Sequence, residues 1–121
     1  MIEYSGCDLN VINNRELIRE GLLEAARRAN ATIVTDVFHT FNPHGISGVV
    51  VIAESHIAIH TWPEYACASV DIFSCSDKMK PELIEGFLKD VFKAKTSACR
   101  EFERVIVSVR ECSQTTSGTH C

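Results

Sequence analysis

What this 121-residue chain lacks excludes several kinds of protein. No apolar run approaches the roughly 20 residues that a membrane span needs, and the N-terminus has no basic segment followed by an apolar one, as a secretion signal would. Six cysteines are present (Cys7, Cys67, Cys75, Cys99, Cys112 and Cys121), yet none is set as C-x-x-C, so zinc ribbons and thioredoxin-like redox motifs find no support. Without a secretion signal a disulfide scaffold is not expected; most of these should be reduced thiols, several of them buried as small apolar groups. Basic residues form no cluster beyond Arg27-Arg28 and the formal net charge is -4, which leaves no footprint for nucleic acid. There is no internal repeat and no Gly-x-Ser-x-Gly elbow of the hydrolase kind. These absences imply a cytoplasmic globular protein with neither a membrane nor a nucleic-acid partner.

Hydrophobic residues make up 45% of the chain, enough for a core in one domain of this size. Met1 to Tyr4 reads as a short strand ending near Gly6. From Asn14 the pattern turns helical: Leu17, Ile18, Leu22, Ala25, Ala26 and Ala29 recur at steps of three and four, with charged residues on the other side. Asn13 or Asn14 can cap the start, and Asn30 suits a left-handed stop. Ala31 to Phe41 is rich in Thr, Val, Ile and Phe and reads as a strand. Asn42-Pro43-His44-Gly45 reads as a turn, with glycine permitting a positive dihedral. Ile46 to Ala53 is almost unbroken in apolar character, which suggests a central strand. Ser55 to Thr61 and Ala66 to Phe73 follow as strands, separated by Pro63. Pro81 opens a second helix with Leu83, Ile84, Phe87, Leu88, Val91 and Phe92 as its stripe. Glu103 to Val109 alternates as a last strand, and residues 113–121, rich in Ser and Thr, read as a disordered tail after a single domain spanning residues 1–112.

This order predicts an α+β fold, a two-layer sandwich of a mostly antiparallel sheet with two helices on one face. The other face is left without helices, so a homodimer is expected.

Three blocks carry the chemistry: Phe38-His39-Thr40-Phe41-Asn42-Pro43-His44-Gly45-Ile46-Ser47-Gly48-Val49-Val50, then Glu54-Ser55-His56-Ile57-Ala58-Ile59-His60-Thr61-Trp62-Pro63-Glu64-Tyr65, then Asp71-Ile72-Phe73-Ser74-Cys75. In this order and at these intervals they resemble the prokaryotic S-adenosylmethionine decarboxylase proenzyme family, a pyruvoyl-dependent family, from about Gly6 to Val109. The resemblance implies self-cleavage between Glu54 and Ser55. The Ser55 hydroxyl attacks the Glu54 carbonyl, the resulting ester is eliminated, and Ser55 becomes a pyruvoyl cofactor. The products are a β chain of residues 1–54 and an α chain of residues 55–121. The ketone then forms a Schiff base with the amine of S-adenosylmethionine and acts as an electron sink while carbon dioxide leaves. The product is the aminopropyl donor of spermidine biosynthesis.

The same resemblance assigns His60 as the processing base that takes the Ser55 α-proton, a task suited to imidazole. Ser47 is implied to hydrogen-bond the scissile carbonyl oxygen. Cys75 is implied as the acid that returns a proton to the substrate α-carbon, which requires a protonated thiol. Phe41 and Trp62 match positions beside the adenine, and Glu64 matches a carboxylate that accepts from the ribose hydroxyls. No metal is implied. Taken singly each residue has a plain structural reading, as a strand-start serine, a strand histidine, a turn serine or a core phenylalanine. His56 receives no assignment.

Two stretches depart from the family pattern. Where members usually continue Pro-Glu-Tyr with Gly-Tyr-Ala-Ala, this chain has Ala66-Cys67-Ala68-Ser69, and the glycine that commonly follows the catalytic cysteine is Ser76. Two alternatives stand beside the leading one: the same pyruvoyl chemistry on ornithine or arginine, and a non-catalytic regulatory paralogue.

Overall fold

The computed structural model describes residues 1–53, 55–74 and 79–100. Glu54, Cys75, the strand expected at Glu103 to Val109 and the tail lie outside the described residues.

The elements follow in the order β1 (Ile2–Ser5), α1 (Leu9–Ile12), α2 (Arg15–Arg28), β2 (Ile33–Thr40), β3 (Ile46–Ile52), β4 (Ser55–Trp62), a 3-10 turn at Pro63–Tyr65, β5 (Cys67–Ser74), α3 (Pro81–Phe92) and β6 (Thr96–Cys99). The strands form one sheet in the order β2-β3-β4-β5-β1-β6, and every adjacent pair is antiparallel. The expected α+β sandwich is therefore present. Two elements were not foreseen, the four-residue α1 and the edge strand β6. β3 is interior, as its apolar run implied, but lies second from the β2 edge rather than at the centre.

Helix α2 begins where Asn14 Oδ1 accepts from the backbone N–H groups of Glu16 and Leu17 at 3.1 and 3.2 Å, satisfying two donors that have no partner within the helix. It stops before Asn30, whose φ of 69° is the left-handed conformation anticipated there. Ile18, Leu22, Ala25, Ala26 and Ala29 are buried as the periodicity requires, whereas Leu17 is 46% exposed and Leu23 takes its place in the core. In α3, Ile84, Leu88 and Phe92 are buried and Leu83 faces out. Phe87 instead lies under the Arg28 guanidinium, 4.4 Å from its ring centroid, a cation–π contact between the helices.

The helices cover the sheet face formed by Ile2, Tyr4, Phe38, Val50, Ile52, Ile57, Ile59, Ala68, Val70 and Ile72, all buried. Each Ile, Val or Phe side chain among them contributes about 1.5–3 kcal/mol by leaving water. Strand alternation sends the residues between them to the opposite face. There lie His39, Ser47, Val49, Val51, His56, Ala58, His60, Trp62, Ser69, Asp71 and Phe73, and no described element covers them. Cys7 and Cys67 are free thiols, whereas Cys99 is disulfide-bonded.

Candidate active site

Register assembles the site. Ser47 pairs with His60 across β3 and β4, and His39 pairs with Ser47 from β2, so these three share one row on the uncovered face. Two features hold the row in place. Thr61, buried behind it, accepts at Oγ1 from the Ile46 N–H at 2.9 Å, tying the start of β3 to the end of β4. Gly48 lies under the Phe38 ring so closely that a Cβ would overlap it, which keeps β2 close against β3.

Within the row Ser47 Oγ and His60 Nδ1 are 2.7 Å apart. A neutral imidazole that donates from Nδ1 to Ser47 leaves Nε2 as a free base, and the opposite tautomer leaves Nε2 as a donor. A hollow of about 320 Å³ opens over this pair, lined by Val37, His39, Ser47, Gly48, Val49, Ala58 and His60. Aromatic groups gather at the same end of the sheet. Trp62 lies beside His60 at 6.2 Å between centroids, and Phe41 meets His39 edge-on at 4.6 Å. Both are large apolar groups left open to solvent, at 43% and 48% exposure. Glu64, on the turn after β4, contacts His44 of the β2–β3 loop at 3.3 Å between Oε1 and Nε2. That loop carries a cis Asn42–Pro43 bond and Gly45 at φ 108°, the positive value foreseen for it.

Ser55 lies elsewhere. It pairs with Ile52, and the expected cleavage point lies immediately before it, at the first residue of β4. On the other side Ser55 pairs with Ser74, after which Cys75 follows in the sequence. Ser55 Oγ contacts the His56 imidazole at Nδ1, 3.2 Å away. Ser55 and His60 are five residues apart on one strand, which is about 16 Å at the usual strand rise, and an odd separation points their side chains to opposite faces. One chain thus brings together Ser47, His60, Trp62, His39 and Phe41, and sets Ser55 at the far end of β4.

Three histidines had no role assigned from the sequence: His39 against Phe41, His44 on Glu64 and His56 on Ser55. Alternation alone put His39 and His56 on the face of His60, which is the signal that could have found them. Among the described residues no group of three or more His, Cys, Asp or Glu side chains is set to hold a metal ion.

A family model for S-adenosylmethionine decarboxylase matches residues 1–105. The chain belongs to that family. Among its relatives the S-adenosylmethionine decarboxylase proenzyme of Thermodesulfovibrio yellowstonii is 46% identical over 110 residues, covering 91% of this chain and 82% of the relative. The proenzyme of Thermotoga maritima is 47% identical over 102 residues, covering 84% and 78%. Among solved structures, the adenosylmethionine decarboxylase of Aquifex aeolicus superposes with a TM-score of 0.73 at 37% identity, covering 80% of each chain. Family membership thus agrees with the three sequence blocks, all of which begin and end inside the matched span.

Proposed function

We propose that this protein is a self-processing S-adenosylmethionine decarboxylase whose cofactor is a pyruvoyl group made from Ser55. The observation that carries the reading is the Ser47–His60 contact at 2.7 Å, a serine donor and an imidazole base held as a unit on an uncovered face in a chain of this family. Both relatives are proenzymes by name, which supports processing as well.

The surroundings of Ser55 suit such a cofactor. A break before Ser55 leaves β3 and β4 paired along Ser47 to Ile52, so Ser55 stays in the sheet. Ser55 is half-buried, which limits access of water to a reactive ketone. Once formed, the pyruvoyl group supplies an electron sink for the carboxylate carbon's departing bond. In processing, Ser47 donates to the scissile carbonyl oxygen and stabilises the developing oxyanion. His60 removes the Ser55 α-proton, so that the ester C–O bond breaks and the N-terminal chain leaves. Phe41 and Trp62 offer ring faces to the adenine and the sulfonium. Glu64 accepts from the ribose hydroxyls, and its contact with His44 gives it a defined direction. Cys75, outside the described residues, returns the proton to the substrate.

The active unit is a homodimer of cleaved protomers. Ser55 and His60 of one chain cannot meet along β4, and the uncovered face exposes Val37 at 63% and Trp62 at 43%. A second copy facing this surface brings its Ser47–His60 pair to Ser55 and buries the apolar groups.

The test is the mass spectrum of denatured protein, followed by carbon dioxide release from carboxyl-labelled S-adenosylmethionine. Two chains, residues 1–54 and 55–121, with the second lighter by one ammonia than hydrolysis gives, support the pyruvoyl group. An intact chain after long incubation rules out self-processing, and a cleaved chain inert on this substrate but active on ornithine or arginine moves the substrate assignment.

A further inference from the structure

In the uncleaved chain the nearest basic group to the Ser55 hydroxyl, among the described contacts, is not His60. Nδ1 of His56 lies 3.2 Å from Ser55 Oγ. Neighbouring side chains on a strand normally point to opposite faces. Ser55 is the first residue of β4, and its hydroxyl reaches round to the imidazole of the next residue. The imidazole is itself fixed: it stacks on the Phe73 ring with 5.6 Å between centroids and 12° between planes, and Phe73 is its register partner on β5. Val51 is the partner on the β3 side. His56 is thus held by an aromatic face with one ring nitrogen on the nucleophile.

We infer that His56 is the general base for the first step of processing, the conversion of the amide preceding Ser55 into an ester, and that His60 serves only the second. This rests on the self-cleavage proposed above. The Ser55 Oγ–H proton passes to His56 Nδ1 as Oγ bonds to the carbonyl carbon of residue 54. The imidazolium then gives that proton to the Ser55 nitrogen as the C–N bond breaks. The net change is an isomerisation of amide to ester, with no oxidant, reductant or water consumed. A serine hydroxyl is a weak nucleophile without a base in contact, and 3.2 Å is within working range for this transfer. Of the described titratable groups on the same face, Asp71 lies nearest in register, opposite Ala58 and one step along β5 from Phe73. One of its oxygens, Oδ1, is buried with no hydrogen-bond partner among the described residues. Two proton transfers of different kinds, from oxygen and then from carbon, are thereby served by two histidines at opposite ends of β4.

The experiment follows cleavage of newly synthesised full-length chain over a pH series, with samples treated with hydroxylamine, which severs an ester but not an amide. In the parent, cleavage proceeds. In His56→Ala and His56→Asn, cleavage slows about 10²- to 10⁴-fold and no hydroxylamine-sensitive ester builds up. Asparagine keeps a polar atom at the δ position without basicity, so it separates a base from a mere anchor and decides the matter if the alanine variant unfolds. Added imidazole restores part of the rate to His56→Ala, which a packing role cannot explain. His60→Ala, by contrast, accumulates the ester. Cleavage of the asparagine variant within about threefold of the parent rate overturns the assignment, as does ester accumulation in either His56 variant. A parent chain that never cleaves defeats the self-processing reading itself, and this inference with it.

Discussion

Ala66 holds a backbone conformation that side chains seldom adopt, φ 53° and ψ 39°, at the end of the Pro63–Tyr65 turn. The conformation is required there: the Ala66 N–H donates to the Pro63 carbonyl at 3.0 Å, and its own carbonyl accepts from the Cys7 N–H at 2.9 Å, joining the turn to the segment after β1. The family usually has glycine at this position, and the structure gives the reason, since glycine enters the left-handed region without a Cβ clash. For alanine that region costs about 1–2 kcal/mol, partly offset by the greater freedom glycine loses on folding. Ala66→Gly is therefore expected to stabilise the protein by about 0.5–1 kcal/mol. The midpoint of urea unfolding rises with unchanged slope; a midpoint equal to or below the parent's shows that the strain is relieved in some other way. The turn carries Glu64 and follows Trp62, so the departure from glycine bears on the stiffness of the end of the site proposed to hold the nucleoside rather than on its chemical groups.

At the scale of elements, the sequence displayed those with a strong internal rhythm. Helix α2 was readable from its three- and four-residue steps and from Asn14, and β3 from its apolar run. Helix α1 has four residues and no period to read, and β6, Thr96-Ser97-Ala98-Cys99, is polar and exposed because it is an edge; neither had a signal stronger than a loop. The site was legible as residues but not as an arrangement. Ser47 and His60 are thirteen positions apart in the chain, and only the β3–β4 register puts them side by side. Ser55 and His60, assigned to one step by the resemblance, stand five residues apart on the single strand β4. Strand β1, inserted between β5 and β6, makes its own prediction. Tyr4 is buried, packs edge-on to Phe92 at 5.1 Å and donates its hydroxyl to the Glu85 carbonyl at 3.0 Å. Burial first, then the Glu85 carboxylate and Cys7, hold its hydroxyl far above the ordinary tyrosine range. Burial, and secondarily Cys67, push the Cys7 thiol from 9.0 up to about 11. In both cases the folded state keeps a proton that the unfolded state gives up sooner. The stability they contribute is fully present below the ordinary values, 9.0 for the thiol and 10.0 for the phenol. It declines as pH rises past them towards the folded values. The thermal midpoint should thus hold through neutral pH and fall steeply above about pH 9. Tyr4→Phe should lose about 1 kcal/mol at pH 7, with the lost hydrogen bond, and show a shallower alkaline decline. An equal decline in parent and variant would assign the alkaline loss to other groups.

Among the described residues the sheet has one helix-covered face and one bare face, and the bare face carries half of the proposed chemistry. A strand of eight residues cannot fold back on itself, so no side-chain rotation lets His60 reach Ser55 of its own chain. Two arrangements remain for the second processing step: a rearrangement of β4 out of a sheet in which it is paired on both sides, or a second copy. The first breaks the β3–β4 and β4–β5 ladders, which run through Ser47–His60 and on to Trp62–Cys67. The second breaks nothing and buries Val37 and Trp62. The two are separated by mixing subunits. Ser55→Ala alone has no nucleophile, and His60→Ala alone has no base for the elimination, so each expressed singly should remain a chain of full length. Co-expressed with distinguishable tags, they form mixed dimers in which the intact Ser55 of the His60→Ala chain faces the intact His60 of the other. With random pairing about half of the dimers are mixed. Cleavage is therefore expected in about half of the His60→Ala chains and in none of the Ser55→Ala chains. If processing ran within one chain, neither would be cleaved at any mixing ratio. The asymmetry, one tag cut and the other whole, is what assigns the nucleophile to one copy and the base to its neighbour, and it needs no knowledge of the substrate.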